Sequence, residues 1–446
     1  MKKTILLFLI LISPLFAQKK LTLEDAISIA LQRNTALIKT KNNLLTNQSQ
    51  LKNAYGELLP TLNAQAQWNW QRVNDAGGTQ RDYFGNIVTI PPSQTDSRSY
   101  SLGFGGGITL FDGLANISYI NQKEYSLKAA EFYLEKAKQN VVYQTTDLYY
   151  QVLNAEELKR VREDNVKYYQ KFYETVQERN KLGSVAKADV YTAQVQLGNA
   201  ELLLIQAQNA YETAMSNLLN YLGLNVLDDY TLVDPFGGQR AVDTDSYMKD
   251  FEDIQTMVSV ALDNRFDFKS QELTVNAAKK GLSIARSGLF PSLSGSYSWS
   301  TSAVEMNKLF NRKIFYVGMT LSFPIFSNWA TENQIQLAQV NYMNAQEDLL
   351  ALERQIKIEI KQGYLDLVAA KKSLDVATKN VVAAEENRKI NQERYNLGSG
   401  TILDVLQADR DYTEALRSKI NALYDFYTKR DKLNNSLGKL EYKKYE

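Results

Sequence analysis

The chain has 446 residues, a formal net charge of +1, 23% charged residues, and neither histidine nor cysteine. Those two absences exclude the common zinc sites, a Ser-His-Asp triad, a cysteine nucleophile, disulfides and an N-terminal lipid-modified cysteine, and no Walker-type glycine loop is present. With a charge so close to zero there is no general attraction to nucleic acid, so neither an enzyme, a cofactor or metal site, nor nucleic-acid binding is expected.

Met1-Lys2-Lys3 is a short basic start, Thr4 to Phe16 an apolar run, and Ala17 a small residue before Gln18. The pattern predicts a secretory signal peptide over residues 1–17, because the run is shorter than the ~20 residues of a spanning helix. A first structural repeat is assigned to 18–223. It opens with a helix predicted from about Thr22 to Leu58, ended near Pro60, which cannot continue it. Strict alternation follows: Leu62, Ala64, Ala66, Trp68 and Trp70 are apolar, and Asn63, Gln65, Gln67, Asn69 and Gln71 between them are polar. This predicts a strand over about 61–72 with one apolar and one polar face. A return strand is expected over about 99–111, with Tyr100, Leu102, Phe104, Ile108 and Leu110 on one face. Arg72 to Arg98, rich in Gly, Asp, Ser and Pro, reads as a surface loop.

A long helical hairpin is predicted over about 112–222. Leu114 to Leu182 contains no Gly or Pro, which permits a helix of ~70 residues, roughly 100 Å long. Gly183-Ser184 reverses the chain. In the return helix Ala186, Val190, Ala193, Leu197, Ala200, Leu204, Ala207, Tyr211, Ala214 and Leu218 step by four and three throughout. Such a heptad seam faces a neighbour along its whole length, and its alanines allow close approach.

Residues 224–251 read as a polar connector, after which the order repeats over 252–438. Ala30 matches Ala261 and Pro60 matches Pro291, both at a separation of 231; Phe111 matches Phe326, Gly183 matches Gly398 and Leu222 matches Leu437, all at 215. One loop, longer in the first half, accounts for the change of register. The second repeat is expected to hold a helix from about Glu252 to Leu289, strands over about 292–302 and 314–326, and a helical hairpin over about 328–437. Residues 439–446 are a short charged tail. The tryptophans Trp68, Trp70, Trp299 and Trp329 lie in or beside strands, where membrane barrels carry interface aromatics.

The fold class is thus an α+β membrane protein with long antiparallel coiled-coil helices, four transmembrane strands and an internal tandem duplication. No segment after the signal is apolar for long enough to be a membrane helix, so entry into a bilayer requires strands. Four strands cannot close a barrel, and an open sheet in lipid leaves edge groups unpaired at several kcal/mol each. An oligomer is required. The helices alone would also suit a soluble periplasmic coiled-coil adaptor or scaffold; the two bilayer-length hairpins favour the channel.

The tips QERNKLGS (Gln177 to Ser184) and QERYNLGS (Gln392 to Ser399), the following TILDVLQA (Thr401 to Ala408), the proline-led strands and the tandem order resemble the TolC family of outer-membrane efflux proteins. The resemblance covers about Leu21 to Gly438. It implies a homotrimer in the outer membrane of a Gram-negative bacterium, with one twelve-stranded barrel and a helical tunnel (α-barrel) in the periplasm. Residues 224–251 would form a belt around that tunnel. It implies as partners a periplasmic adaptor (membrane fusion) protein, an inner-membrane pump of RND, ABC or MFS type, and outer-membrane lipids. Cargo would pass passively, whether small molecules or secreted proteins. By the same resemblance Asp404 matches a gate aspartate at the periplasmic constriction; the second family aspartate is Gln407 here, and Asp411 falls on the same stripe. A latch arginine is replaced by Gly400, so no such latch is implied. The tips Leu182, Gly183 and Ser184, and Leu397, Gly398 and Ser399, would meet the adaptor.

Overall fold

The computed structural model of the chain describes residues 19–236, 247–248, 251 and 253–445. The expected signal peptide and part of the connector lie outside the described residues. In chain order the first repeat contains β1 (Lys19–Leu21), α1 (Leu23–Arg33), α2 (Thr35–Gly56), β2 (Asn63–Asp75), β3 (Gly78–Arg81), β4 (Ile87–Ile90), β5 (Ser93–Phe111), α3 (Ala115–Lys181) and α4 (Lys187–Leu222). After β6 (Tyr230–Leu232) come α5 (Ile254–Asn264), α6 (Phe266–Ser287), β7 (Ser292–Ala303), β8 (Lys313–Ser322), α7 (Ala330–Asn396) and α8 (Ile402–Ser436).

Three differences from the sequence expectation have local causes. The opening helix of each repeat is not continuous: Asn34 and Arg265 are extended, with ψ near 123°. Asn34 accepts at Oδ1 from the Ala36 and Leu37 amides, which starts a new helix, and donates Nδ2 to the Tyr221 carbonyl at 3.0 Å. Arg265, its repeat equivalent, donates to the Ser436 carbonyl at 3.3 Å and pairs with Asp267 and Glu359 at 2.6 Å. Secondly, the first hairpin is not a plain loop beyond Arg72. β2 and β5 stay paired to Asp75 and Ser93, helped by the Arg72–Asp96 pair at 2.6 Å, and β3 and β4 form a further antiparallel hairpin. Thirdly, β8 stops at Ser322 rather than near 326, just before Phe323-Pro324, where proline has no N–H for a ladder.

The chain divides into two compact units. One gathers Asn43–Glu131 and Lys269–Leu350 and holds the four-stranded antiparallel sheet, in the order β2-β5-β7-β8. Its register places Ala64, Phe104, Trp299 and Phe315 side by side in one row, and Asn63, Gly105, Ser298 and Tyr316 in the next. Alternation therefore runs across all four strands, leaving one apolar and one polar face. Where strand gives way to long helix, both repeats use two successive left-handed residues: Gly113 and Leu114, then Asn328 and Trp329. Leu114 and Trp329 adopt this conformation at about 1–2 kcal/mol each, and Asn328 at less, which argues that the turn geometry itself is required.

The other unit combines Met1–Asn42, Phe132–Phe268 and Ala351–Glu446. It holds the two helical hairpins. α3 and α7 have 67 residues each, and their return helices α4 and α8 end on left-handed Gly223 and Gly438. A Cβ at Gly223 would meet the Arg33 carbonyl at 3.2 Å, and one at Gly438 would meet the Arg265 nitrogen at 3.2 Å. Each helix break is thus clasped by the end of its own return helix. The heptad seam of α4 is as expected from Val190 onward: Ala193, Ala200 and Leu218 are buried and the intervening seam positions half-buried, whereas Ala186 is exposed. β1 and β6 pair in parallel, and the buried Tyr149 hydroxyl donates to the Val233 carbonyl at 2.6 Å, tying the start of the connector to α3.

Candidate functional site

The beginning of α8 is shaped by its apolar face. Ile402, Val405 and Leu406 are buried with Tyr169, Phe172 and Val176 of α3 and with Ala193 and Ala200 of α4. Burying that face turns the remaining positions outward, so Asp404, Gln407 and Asp411 share one exposed side of the helix. The structure brings these three together as the sequence stripe suggested. They are not identical in setting. Asp404 closes a capping box: its Oδ2 accepts from the Thr401 amide at 2.9 Å and hydroxyl at 2.8 Å, while Thr401 Oγ1 accepts the Asp404 amide. Those bonds hold its carboxyl below the usual carboxylate range, the backbone amide contributing most. Gln407 donates to Asp411 at 2.8 Å and accepts from Arg410, and Arg417 pairs with Glu414 one turn further on. The stripe is therefore acidic at its start and mixed in sign beyond it.

Sequence reasoning missed Asp409. Its side chain has no solvent exposure, and its carboxylate lies 2.8 Å from the Arg388 guanidinium of α7 and accepts from Asn165 of α3 at 3.3 Å. Arg388 in turn lies over Tyr168 of α3 at 4.3 Å and Tyr412 of α8 at 4.9 Å. One carboxylate thus links α8 to α7 and to the first hairpin. Burial raises its pKa, and Arg388 opposes that rise without cancelling it. The available signal was positional: Asp409 stands seven residues after Ile402, on the buried column.

The tips are open. Gly183 and Gly398 have φ of 73° and 77° and nothing within 4 Å of a built Cβ, and Leu182 and Leu397 are more than 80% exposed. Ser184 and Ser399 donate their amides to Arg179 and Arg394, which closes each helix end. Arg179 donates to Asn396 at 3.0 Å, so the two tips touch. Gly400 lies tight against its own turn: a Cβ there would meet the Tyr395 nitrogen at 3.2 Å.

The aromatic residues sort by strand. Trp68, opposite Tyr100, and Trp70, beneath the Arg72 guanidinium at 5.3 Å, are exposed on the apolar face; Trp299 stacks on Phe104 at 5.2 Å. Trp329 is exposed but lies in the strand-to-helix turn rather than in a strand, edge-on to Phe326. Among the described residues no group of three or more His, Cys, Asp or Glu could hold a metal ion, and no helix is long and apolar enough to cross a membrane.

A family model described as "Outer membrane efflux protein" matches residues 26–224 and 257–439. The chain is 22% identical to the outer membrane protein TolC of Vibrio cholerae, over 96% of this chain and 91% of that protein. It is 25% identical to the pyoverdine export outer membrane protein OpmQ of Pseudomonas aeruginosa, over 79% and 71%. Its fold is that of the outer membrane channel CmeC of Campylobacter jejuni, with a TM-score of 0.76, 18% identity and coverage of 95% and 88%. The outer membrane protein VceC of Vibrio cholerae has the same fold, with a TM-score of 0.74, 18% identity and coverage of 93% and 96%.

Proposed function

The chain belongs to the outer membrane efflux protein family, and from that membership we propose that it is the channel-tunnel subunit of a tripartite export system, working as a homotrimer. The observation that carries this reading is the four-stranded sheet with free edges at β2 and β8 and an apolar face bearing Trp68, Trp70 and Phe315. Such edges are tolerable in lipid only when paired, and three copies supply twelve strands, enough for a closed barrel. The long hairpins continue the conduit into the periplasm. An adaptor docks at the Leu182-Gly183-Ser184 and Leu397-Gly398-Ser399 tips, and an RND, ABC or MFS pump supplies the cargo and the energy.

Asp404 narrows the periplasmic opening, with Gln407 and Asp411 behind it on the same exposed face. Trp68, Trp70 and Trp299 lie at membrane interfaces, and Trp329 lies beside one. Relatives named for the export of pyoverdine, or of toxins and drugs, support a cargo of small molecules such as drugs and toxic compounds, or of secreted proteins. Family membership removes the need for a soluble scaffold reading.

Planar bilayers test the gate: Asp404→Asn is expected to raise conductance or weaken block by cations. No change in either would remove Asp404 from the constriction. Cross-linking in outer-membrane vesicles tests the assembly, for which a monomer as the largest species would be the contrary result.

A further inference from the structure

The polar face of the membrane sheet differs from the helical stripe in one respect: it is uncharged. On β7 it presents Ser294, Ser296, Ser298, Ser300 and Ser302. Their register partners on β5 are Thr109, Gly107, Gly105, Gly103 and Ser101. β2 adds the amides Asn63, Gln65, Gln67 and Asn69, and β8 adds Ile314, Tyr316, Gly318, Thr320 and Ser322. Apart from Asp75, which comes at the far end of β2 opposite Ser93 and beyond the four-stranded part, no carboxylate, ammonium or guanidinium lies on this face over the paired rows. Charges near these rows, Arg98 and Lys313, fall on the opposite, apolar face, in register with Trp70 and Thr301.

We propose that the strand section of the channel is a charge-neutral exit, lined by serine hydroxyls, glycine backbone and carboxamides, that passes anionic, zwitterionic and cationic cargo alike. Discrimination by charge is then confined to the helical section, where Asp404, Asp411 and Glu414 alternate with Arg410 and Arg417. The proposal rests on the reading that the polar face lines the lumen. Hydroxyls and carboxamides both donate and accept hydrogen bonds, so they replace hydration around either sign of ion. A fixed charge in a cleft with low-dielectric walls would set up a potential of several kT and favour one sign. Small residues also share one row, Gly107, Ser296 and Gly318, the last covered by the uncharged ring of Tyr316.

The absence of native cysteine makes the potential directly measurable. Ser296→Cys in the assembled channel is treated from the extracellular side with two membrane-impermeant thiosulfonates, one cationic and one anionic. Each rate is normalised to that of a free thiol. The expected ratio of cation to anion rates lies within about twofold of unity; a ratio of about tenfold or more in either direction overturns the neutral exit. Met319→Cys, on the apolar face, is expected to stay unmodified. If it reacts while Ser296→Cys does not, the face assignment is wrong and the proposal falls. Gln407→Cys, probed from the periplasmic side, is expected to favour the cationic reagent. Equal rates there would count against the acidic gate while leaving the neutral exit standing.

Discussion

The two helical hairpins are copies in register, yet their return helices begin differently. α4 starts at Ala186 with no side-chain cap, while α8 starts at Thr401 in a complete capping box with Asp404. Asp189, the equivalent of Asp404, is left as a first-turn carboxylate without that box. Five residues on, the buried Asp409 of α8 corresponds to exposed Gln194 of α4. The same backbone thus carries an alanine-rich apolar seam in one copy and a pinned polar helix in the other. Duplication supplied the hairpin; the buried Asp409–Arg388 pair and the complete capping box fall on the copy that bears the proposed gate.

The largest expected break in this comparison is at Asp409. Asp409→Ala leaves Arg388 without its carboxylate and is expected to cost about 3 kcal/mol, whereas Gln194→Ala should fall within about 0.5 kcal/mol of the parent. Hydrogen exchange of the amides over 402–413 and 187–198 measures both. The tips should respond alike: Ala at Gly183 or at Gly398 is strained by its positive φ but meets no neighbour, so a similar cost of about 1 kcal/mol is expected at each, read as exchange in the last turns of α3 and α7. Unequal costs would show that one tip is held by more than its own turn.

Smaller effects concern the caps. Thr401→Ala should weaken the first turn of α8 by about 1 kcal/mol, and Ala186→Thr should strengthen that of α4 by a similar or smaller amount, since Asp189 stands ready to complete a box. The smallest effect is in pH, and it has opposite signs at the two aspartates. The lowered pKa of Asp404 means that its contribution is present above the unfolded carboxylate pKa and is lost as pH falls through the folded value. The raised pKa of Asp409 means that the folded chain takes up this proton first, so the contribution of that group increases as pH falls through its folded value. Acidification should therefore loosen the first turn of α8 before its interior, which exchange between pH 6 and 3 resolves by position.

Much of the architecture was legible because it is periodic. The alternation from Leu62 to Gln71 and the heptad from Val190 to Leu218 name their apolar faces directly, since side-chain direction follows from backbone period. The outward stripe of Asp404, Gln407 and Asp411 was legible for the same reason. What escaped was local or long-range in origin. The breaks at Asn34 and Arg265 involve neither Pro nor Gly; they depend on carbonyls at Tyr221 and Ser436, far away in sequence. The β3–β4 hairpin was hidden by a turn-rich composition, and Asp409 because carboxylates are rarely fully buried unless paired.

Taken alone, the sequence determined the duplication, the order of helices and strands, the two-faced sheet and the need for assembly, because each follows from spacing and from unpaired edge groups. Only the tertiary structure decided which polar groups are buried and with whom: Asp409 with Arg388 and Asn165, Arg265 with Glu359 and the Ser436 carbonyl. Those pairings depend on helices separated by many residues coming together, and no local period encodes them.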